Sequence, residues 1–285
     1  MVIRTGISAS EITDKVSRLC MDVNYTLSND LLDTLRNAYE TEPSPVSKEI
    51  LAELLENARV ARTCRIPLCQ DTGVAVIFLE LGNHVDITGG DLYGAVQEGV
   101  RRGYREGFLR KSMVADPLNR INTGDNTPAI IHTEIFHGNY LKITFMAKGG
   151  GCENMSRIGM LTPADGREGV MKFVVETVNK AKANPCPPVI VGVGIGGTFD
   201  YAALLAKKAL LRPLGSIHTD TDTTALEQEM LTKINHLGIG AQGFGGRITA
   251  LAVHVERYPC HIASLPVAVN IDCHVHRVKT ITLGI

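Results

Sequence analysis

Apolar positions recur at helical spacing over the first sixty residues and then give way to short continuous or alternating runs. Three helices are predicted first, over Ser10–Asn24, Ser28–Glu42 and Ser47–Arg62. Ser10 and Ser28 are plausible N-caps, Pro43 and Pro45 punctuate the second helix, and Ile50, Leu51, Leu54 and Leu55 share one face of the third. These helices are expected to pack together as a cap or partner-facing layer. Beyond them, Val74 to Leu81 reads as a buried strand, and Gly89-Gly90-Asp91 opens a helix running to about Phe108. Residues 114–128 are polar and loop-like. Ala129–Phe136 and Tyr140–Ala147 alternate around His137-Gly138-Asn139, the pattern of a hairpin. Helices follow at Pro163–Ala183, Asp200–Leu211 and Asp222–Leu237, with strands at Val189–Val191, Arg247–Tyr258 and Val267–Ile271. The expected fold is α/β, a mixed sheet flanked by helices with an N-terminal helical segment. It is read as one domain over 1–285, helical over 1–62 and α/β over 63–285.

Composition narrows the function classes. At 285 residues, 44% hydrophobic and 21% charged, the chain is an ordinary globular protein with room for a sizeable core. A net charge of −1 gives no electrostatic reason to expect nucleic acid or a membrane surface. No apolar run approaches the ~20 residues of a membrane span. The opening Met-Val-Ile-Arg-Thr-Gly-Ile-Ser lacks a basic region followed by an apolar one, so a cytoplasmic location is expected. The 7 cysteines are scattered over the length and form no CxxC pair, which disfavours a disulfide framework, a zinc ribbon or a ferredoxin-type cluster motif.

The chemistry concentrates in Pro67-Leu68-Cys69-Gln70-Asp71-Thr72-Gly73, which sets a thiol, an amide and a carboxylate at the mouth of a buried strand. Such a trio is poor core material and reads as a site: Cys69 holding a metal centre, Asp71 moving a proton beside it. Cys186 and Cys273 also sit near ends of short apolar strands, so three thiols from distant loops have a route to convergence. Gly149, Gly150 and Gly151 would let backbone amides face an anion, or merely close a tight connection. Arg110 follows a helix end, where its fork could hold a carboxylate; on residues alone a surface arginine is the simpler reading. Gly192-Val193-Gly194-Ile195-Gly196-Gly197 matches GxGxxG after a strand. Its late position, and the lack of an apolar strand before Asp220 and Asp222, argue against a dinucleotide site.

Four ordered stretches resemble the class I iron–sulfur fumarate hydratases and L-tartrate dehydratases, in their alpha subunit or equivalent N-terminal domain. They are Pro-Leu-Cys-Gln-Asp-Thr-Gly at 67–73, Lys-Gly-Gly-Gly-Cys-Glu-Asn-Met-Ser at 148–156, Cys-Pro-Pro-Val-Ile-Val-Gly-Val-Gly-Ile-Gly-Gly at 186–197 and His-Ile-Ala-Ser-Leu-Pro-Val-Ala-Val-Asn-Ile-Asp-Cys at 261–273. The resemblance implies a [4Fe–4S] cluster on Cys69, Cys186 and Cys273, with one iron open to substrate. It puts Cys152 where the family usually has serine, Cys260 near the site without binding iron, and Cys20 and Cys64 in structural roles. It also implies Asp71 in proton transfer at the hydroxyl, and substrate contacts from Gln70, Arg110, the Gly149–Gly151 backbone and His261. The base for the carbon proton, and further cationic contacts, would come from a beta subunit, so this chain is expected to supply half of a shared site in a higher heteromer. Reversible hydration of fumarate to L-malate is the leading expectation and dehydration of L-tartrate the runner-up. A non-catalytic iron–sulfur protein is the rival from another class.

Overall fold

The structure, a computed structural model, describes residues 4–284; Met1, Val2 and Ile3, the start of the stretch read for a secretory signal, and Ile285 lie outside the described residues. In chain order the elements are β1 (Thr5–Ser8), α1 (Ala9–Tyr25), α2 (Asn29–Thr41), α3 (Pro45–Cys64), β2 (Val74–Gly82), β3 (Val85–Thr88), α4 (Leu92–Glu106), β4 (Ile130–Phe136) and β5 (Leu141–Lys148). They continue as α5 (Gly150–Glu153), β6 (Arg157–Leu161), α6 (Gly166–Ala181), β7 (Val189–Gly197), α7 (Phe199–Ala209), α8 (Thr221–Asn235), β8 (Ala250–Cys260), β9 (Leu265–Asp272) and β10 (Val278–Leu283). No helix among the described residues is long and apolar enough to cross a membrane. The described residues divide into two compact units, one of residues 4–28, 58–150 and 277–284, the other of 29–57 and 151–276. Of the N-terminal helices, α1 belongs to the first unit, α2 to the second, and α3 contributes residues to both.

In the first unit a sheet runs in the order β10-β5-β2-β4, with β2 antiparallel to β5 and parallel to β4. The expected β4–β5 hairpin is thus wrong, because β2 lies between its two strands. Burial explains the exchange. β2 is apolar along nearly its whole length and takes an interior place, whereas β4 keeps Ile130 and Ile135 exposed, as an edge strand can. Ile77, Leu79, Ile143 and Phe145 form the core with Ile12, Val16 and Leu19 of α1 and Val96, Val100 and Tyr104 of α4. Ser8 caps α1 and Asp91 caps α4 through their side-chain oxygens. The C-terminal strand β10, which the hydrophobic pattern did not signal, pairs antiparallel with β5.

In the second unit the order is β6-β9-β7-β8, with β7 parallel to β8 and antiparallel to β9. Strand period explains the glycine-rich motif. Val191 and Val193 point to one face, where α6 and α8 bring Val174, Val178, Met230 and Ile234. Gly192 and Gly194 fall on the other face, against α7. A Cβ at Gly192 would lie 2.1 Å from the Ala206 carbonyl oxygen, and one at Gly194 would lie 2.1 Å from that of Ala202. GxGxxG is therefore strand with a helix laid tightly on it rather than a phosphate loop. Gly194→Ala is expected to lower stability by about 3 kcal/mol, since backbone rather than a flexible side chain must move. Urea denaturation of the variant checks this, and an unchanged midpoint would refute it.

Candidate active site

The Cys69–Gly73 loop of the first unit is fixed mainly through its backbone. The Leu68 N–H donates to the Asn24 carbonyl at 2.8 Å. Arg277 Nη1 donates to the Asp71 carbonyl at 2.5 Å and to Asn24 Oδ1 at 3.0 Å. The Tyr104 hydroxyl donates to the Thr72 carbonyl at 2.7 Å and to that of Gly73 at 3.0 Å, and Asn126 Nδ2 reaches the Gly73 carbonyl at 3.1 Å. Burial pushes the Tyr104 phenol well above its usual range, so it serves as a neutral donor. Gly73 has φ +76°, and a Cβ there would stand 2.9 Å from the Lys148 backbone, so only glycine fits this turn.

This bracing aims the Asp71 side chain. Its Oδ1 accepts from the Gly73 N–H at 3.0 Å and its Oδ2 from the Gly150 N–H at 2.8 Å. A half-buried carboxylate on two backbone donors is held in one orientation and keeps lone pairs to accept a substrate proton. Gln70 is exposed beside it, and the Cys69 thiol donates to Gln70 Oε1 at 3.3 Å. Arg110 is also exposed, and its carbonyl accepts from Thr72 Oγ1 at 2.8 Å, which ties it to the residue after Asp71. The first unit thus brings together Cys69, Gln70, Asp71, Arg110, Gly149 and Gly150.

In the second unit the sheet register carries thiols to one end. Ile190 pairs with Asp272 and Arg157 with Val269, so Cys186 before β7, Cys273 after β9 and Cys152 before β6 all fall at that end. The Cys152 and Cys273 sulfurs and an Asp272 carboxylate oxygen lie within 4.8 Å of one another. Asp272 is held at 2.6 Å by His276 Nδ1. Cys186 is exposed, at φ +56°, and its carbonyl accepts from His274 Nδ1 at 3.0 Å, which ties its loop to the residue after Cys273. Glu153 and Ser156 anchor the stretch after the glycines, both to Asn270 Nδ2, at 2.8 and 2.9 Å.

Two expected members stand elsewhere. His261 lies in the β8–β9 turn, and β9 runs antiparallel to β7, so the sheet sets it about 23 Å from the thiol end at 3.3 Å per residue. It borders a cavity of about 700 Å³ lined by Val170, Ile195, Leu226 and Arg257. Cys260 is exposed in the same region, with its thiol on the Ser264 carbonyl at 3.2 Å. Cys20 is fully buried and burial pushes its thiol up, which suits a structural role. Cys64 is exposed at the end of α3 and is not a core residue. The sequence reading missed Asn24, Tyr104, Asn126, Asp272 and Arg277. Asn126 is fully buried in a stretch read only as polar loop, and Tyr104 lies in the polar run Arg101-Arg102-Gly103-Tyr104-Arg105-Glu106, which gave no local signal of its burial.

The donor chemistry fits a sulfur-ligated metal centre. Cys186 and Cys273 sit on loops joined by a hydrogen bond, and soft thiolates at a sheet end suit iron–sulfur or zinc far better than magnesium or calcium. The second unit thus offers a thiol-bearing sheet end that could hold a metal ion, and the first unit a loop presenting one oriented carboxylate. The comparisons make this specific. Residues 13–282 match the family "Fumarate hydratase (Fumerase)". A Methanocaldococcus jannaschii protein provisionally named L(+)-tartrate dehydratase subunit alpha is 44% identical over 273 residues, covering 94% of this chain and 95% of its own. The L(+)-tartrate dehydratase subunit alpha of Escherichia coli K12 is 32% identical over 278 residues, covering 96% and 91%. The chain belongs to the fumarate hydratase family and is an enzyme of the hydro-lyase type.

Proposed function

We propose that this chain is the alpha subunit of a [4Fe–4S] hydro-lyase that removes water from a hydroxy-dicarboxylate, with L(+)-tartrate as its first substrate. The observation that carries the reaction is the Asp71 carboxylate, oriented by the Gly73 and Gly150 N–H groups on the loop that also bears Cys69 and Gln70. The end-to-end similarity to proteins named for tartrate carries the choice of diacid. Fumarate hydration is the second reading, favoured by the name of the matching family.

Cys69, Cys186 and Cys273 would hold the cluster, which when bound supplies an open iron as Lewis acid for the departing hydroxyl. Asp71 gives the departing hydroxyl the proton with which it leaves as water, and takes that proton from water in the reverse direction. Arg110 offers a bidentate fork to one substrate carboxylate, Gln70 hydrogen-bonds beside it, and the Gly149–Gly151 backbone lets substrate approach closely. His261 is left out of this set because β9 carries it to the far end of its sheet. A beta subunit supplies the base for the carbon proton, in a larger heteromer.

The test is anaerobic co-expression with a beta subunit of this family, followed by kcat/KM on L(+)-tartrate and L-malate. Tartrate is expected to lead by about 100-fold or more, because a site built to bond the second hydroxyl leaves polar groups unpaired with malate. The reverse ratio would make the chain a fumarate hydratase subunit. A loaded complex inert to both diacids would leave the non-catalytic iron–sulfur protein.

A further inference from the structure

Arg277 sits at the start of the C-terminal stretch of the first unit, far in sequence from the Asp71 loop that it touches. It is 3% exposed. Its Nη1 spans two neutral acceptors, the Asp71 carbonyl and Asn24 Oδ1, and its buried Nε has no hydrogen-bond partner among the described residues. No carboxylate lies within ion-pair distance of it among the described residues. Nη2 points toward Gly149: a Cβ built there would be 3.4 Å from Nη2 and 3.4 Å from Asp71 Oδ2. Nη2 and Asp71 Oδ2 thus both border the space beside Gly149.

This is an unfavourable way to brace a loop. A buried guanidinium bonded only to neutral oxygens, with one donor unmet, loses hydration that it does not recover. A neutral donor would hold the Asp71 carbonyl with less penalty, as Tyr104 does for Thr72 and Asn126 for Gly73. An orphaned buried donor beside an oriented carboxylate asks for a reason other than stability.

We propose that Arg277 is a positioning residue of the reaction, a role that rests on the hydro-lyase reading above. By gripping the Asp71 carbonyl it sets where that residue's backbone lies, and so where its carboxylate meets the Gly150 N–H and the substrate. The other carbonyl anchors fall on residues 72 and 73, and the Gly73 and Gly150 N–H groups hold only the side chain, so among the described residues Arg277 is the group that grips the Asp71 carbonyl.

The test uses the complete enzyme with its beta subunit, comparing Arg277→Lys, Arg277→Gln and Asn24→Ala. Lysine puts its ammonium on a flexible stem in place of the planar guanidinium and holds the carbonyl less rigidly, so kcat is expected to fall about 30-fold in Arg277→Lys and about 100-fold in Arg277→Gln, with KM within about threefold. Melting temperature and iron content should stay at wild-type values. Asn24→Ala, which loosens the guanidinium without removing it, should cost about fivefold in kcat. A kcat within threefold of wild type in the Arg277 variants would overturn the role, as would a kcat loss that only tracks lost iron or lost melting temperature. If the Arg277 variants do not fold, Asn24→Ala decides, and an unchanged kcat there would overturn it. Wild-type enzyme inert to both diacids would instead remove the hydro-lyase reading, and this role with it.

Discussion

Asp71→Asn is expected to lower kcat by about 10³-fold while leaving the fold in place. The amide keeps an oxygen for one backbone donor, but its nitrogen must face the other, and an amide cannot deliver the proton with which the hydroxyl leaves as water. Pairing an –NH₂ with the Gly150 N–H sets two donors together at a half-buried site, a loss of about 1 kcal/mol. That is small against the stability of a domain of this size, so circular dichroism and iron content should match wild type while turnover vanishes. A variant retaining more than a tenth of the wild-type kcat would show that Asp71 is not the proton carrier, and would return the loop to a purely architectural role.

The second large effect separates the thiols. Cys186→Ser should abolish stable cluster assembly, leaving well under the full complement of iron after anaerobic reconstitution, whereas Cys152→Ser should retain it. Cys186 is exposed on a left-handed backbone position between two prolines, which presents its sulfur outward at little rotational freedom. Cys152 is buried, with its thiol donating to the Pro185 carbonyl at 3.5 Å. Geometry makes the opposite result informative. The Cys152 sulfur lies within 4.8 Å of that of Cys273, so loss of iron in Cys152→Ser alone would place Cys152 in the ligand set. Iron and sulfide analysis with EPR on both variants reads the outcome.

Much of the site was legible because its chemistry is local. Cys69, Gln70 and Asp71 are adjacent, and Gly73 must be glycine for the turn that follows, so the loop announced itself before any partner was known. The helices of the second half were legible for the same reason, since their caps and apolar faces lie within one element. Strand pairing was not. The alternating runs on either side of His137-Gly138-Asn139 satisfied every local rule for a hairpin, yet β2, far earlier in the chain, displaced one from the other. GxGxxG likewise met a local rule for phosphate binding. Its cause lies in the carbonyls of α7, which no residue within the motif reveals.

What this sequence determined by itself is the set of groups able to do chemistry and the small elements carrying them: the thiol–amide–carboxylate loop, the triple glycine, the strand-end cysteines. Those properties depend on side-chain type and on φ preferences, which act over a few residues. Tertiary structure alone decided that Arg277 and Asn24, 253 positions apart, grip the Asp71 loop together, that Cys152 stands beside Cys273, and that His261 lies at the other end of its sheet. Those outcomes follow from which strands compete best for the interior of a sheet and in which direction each then runs. That competition is settled by burial summed over the whole chain.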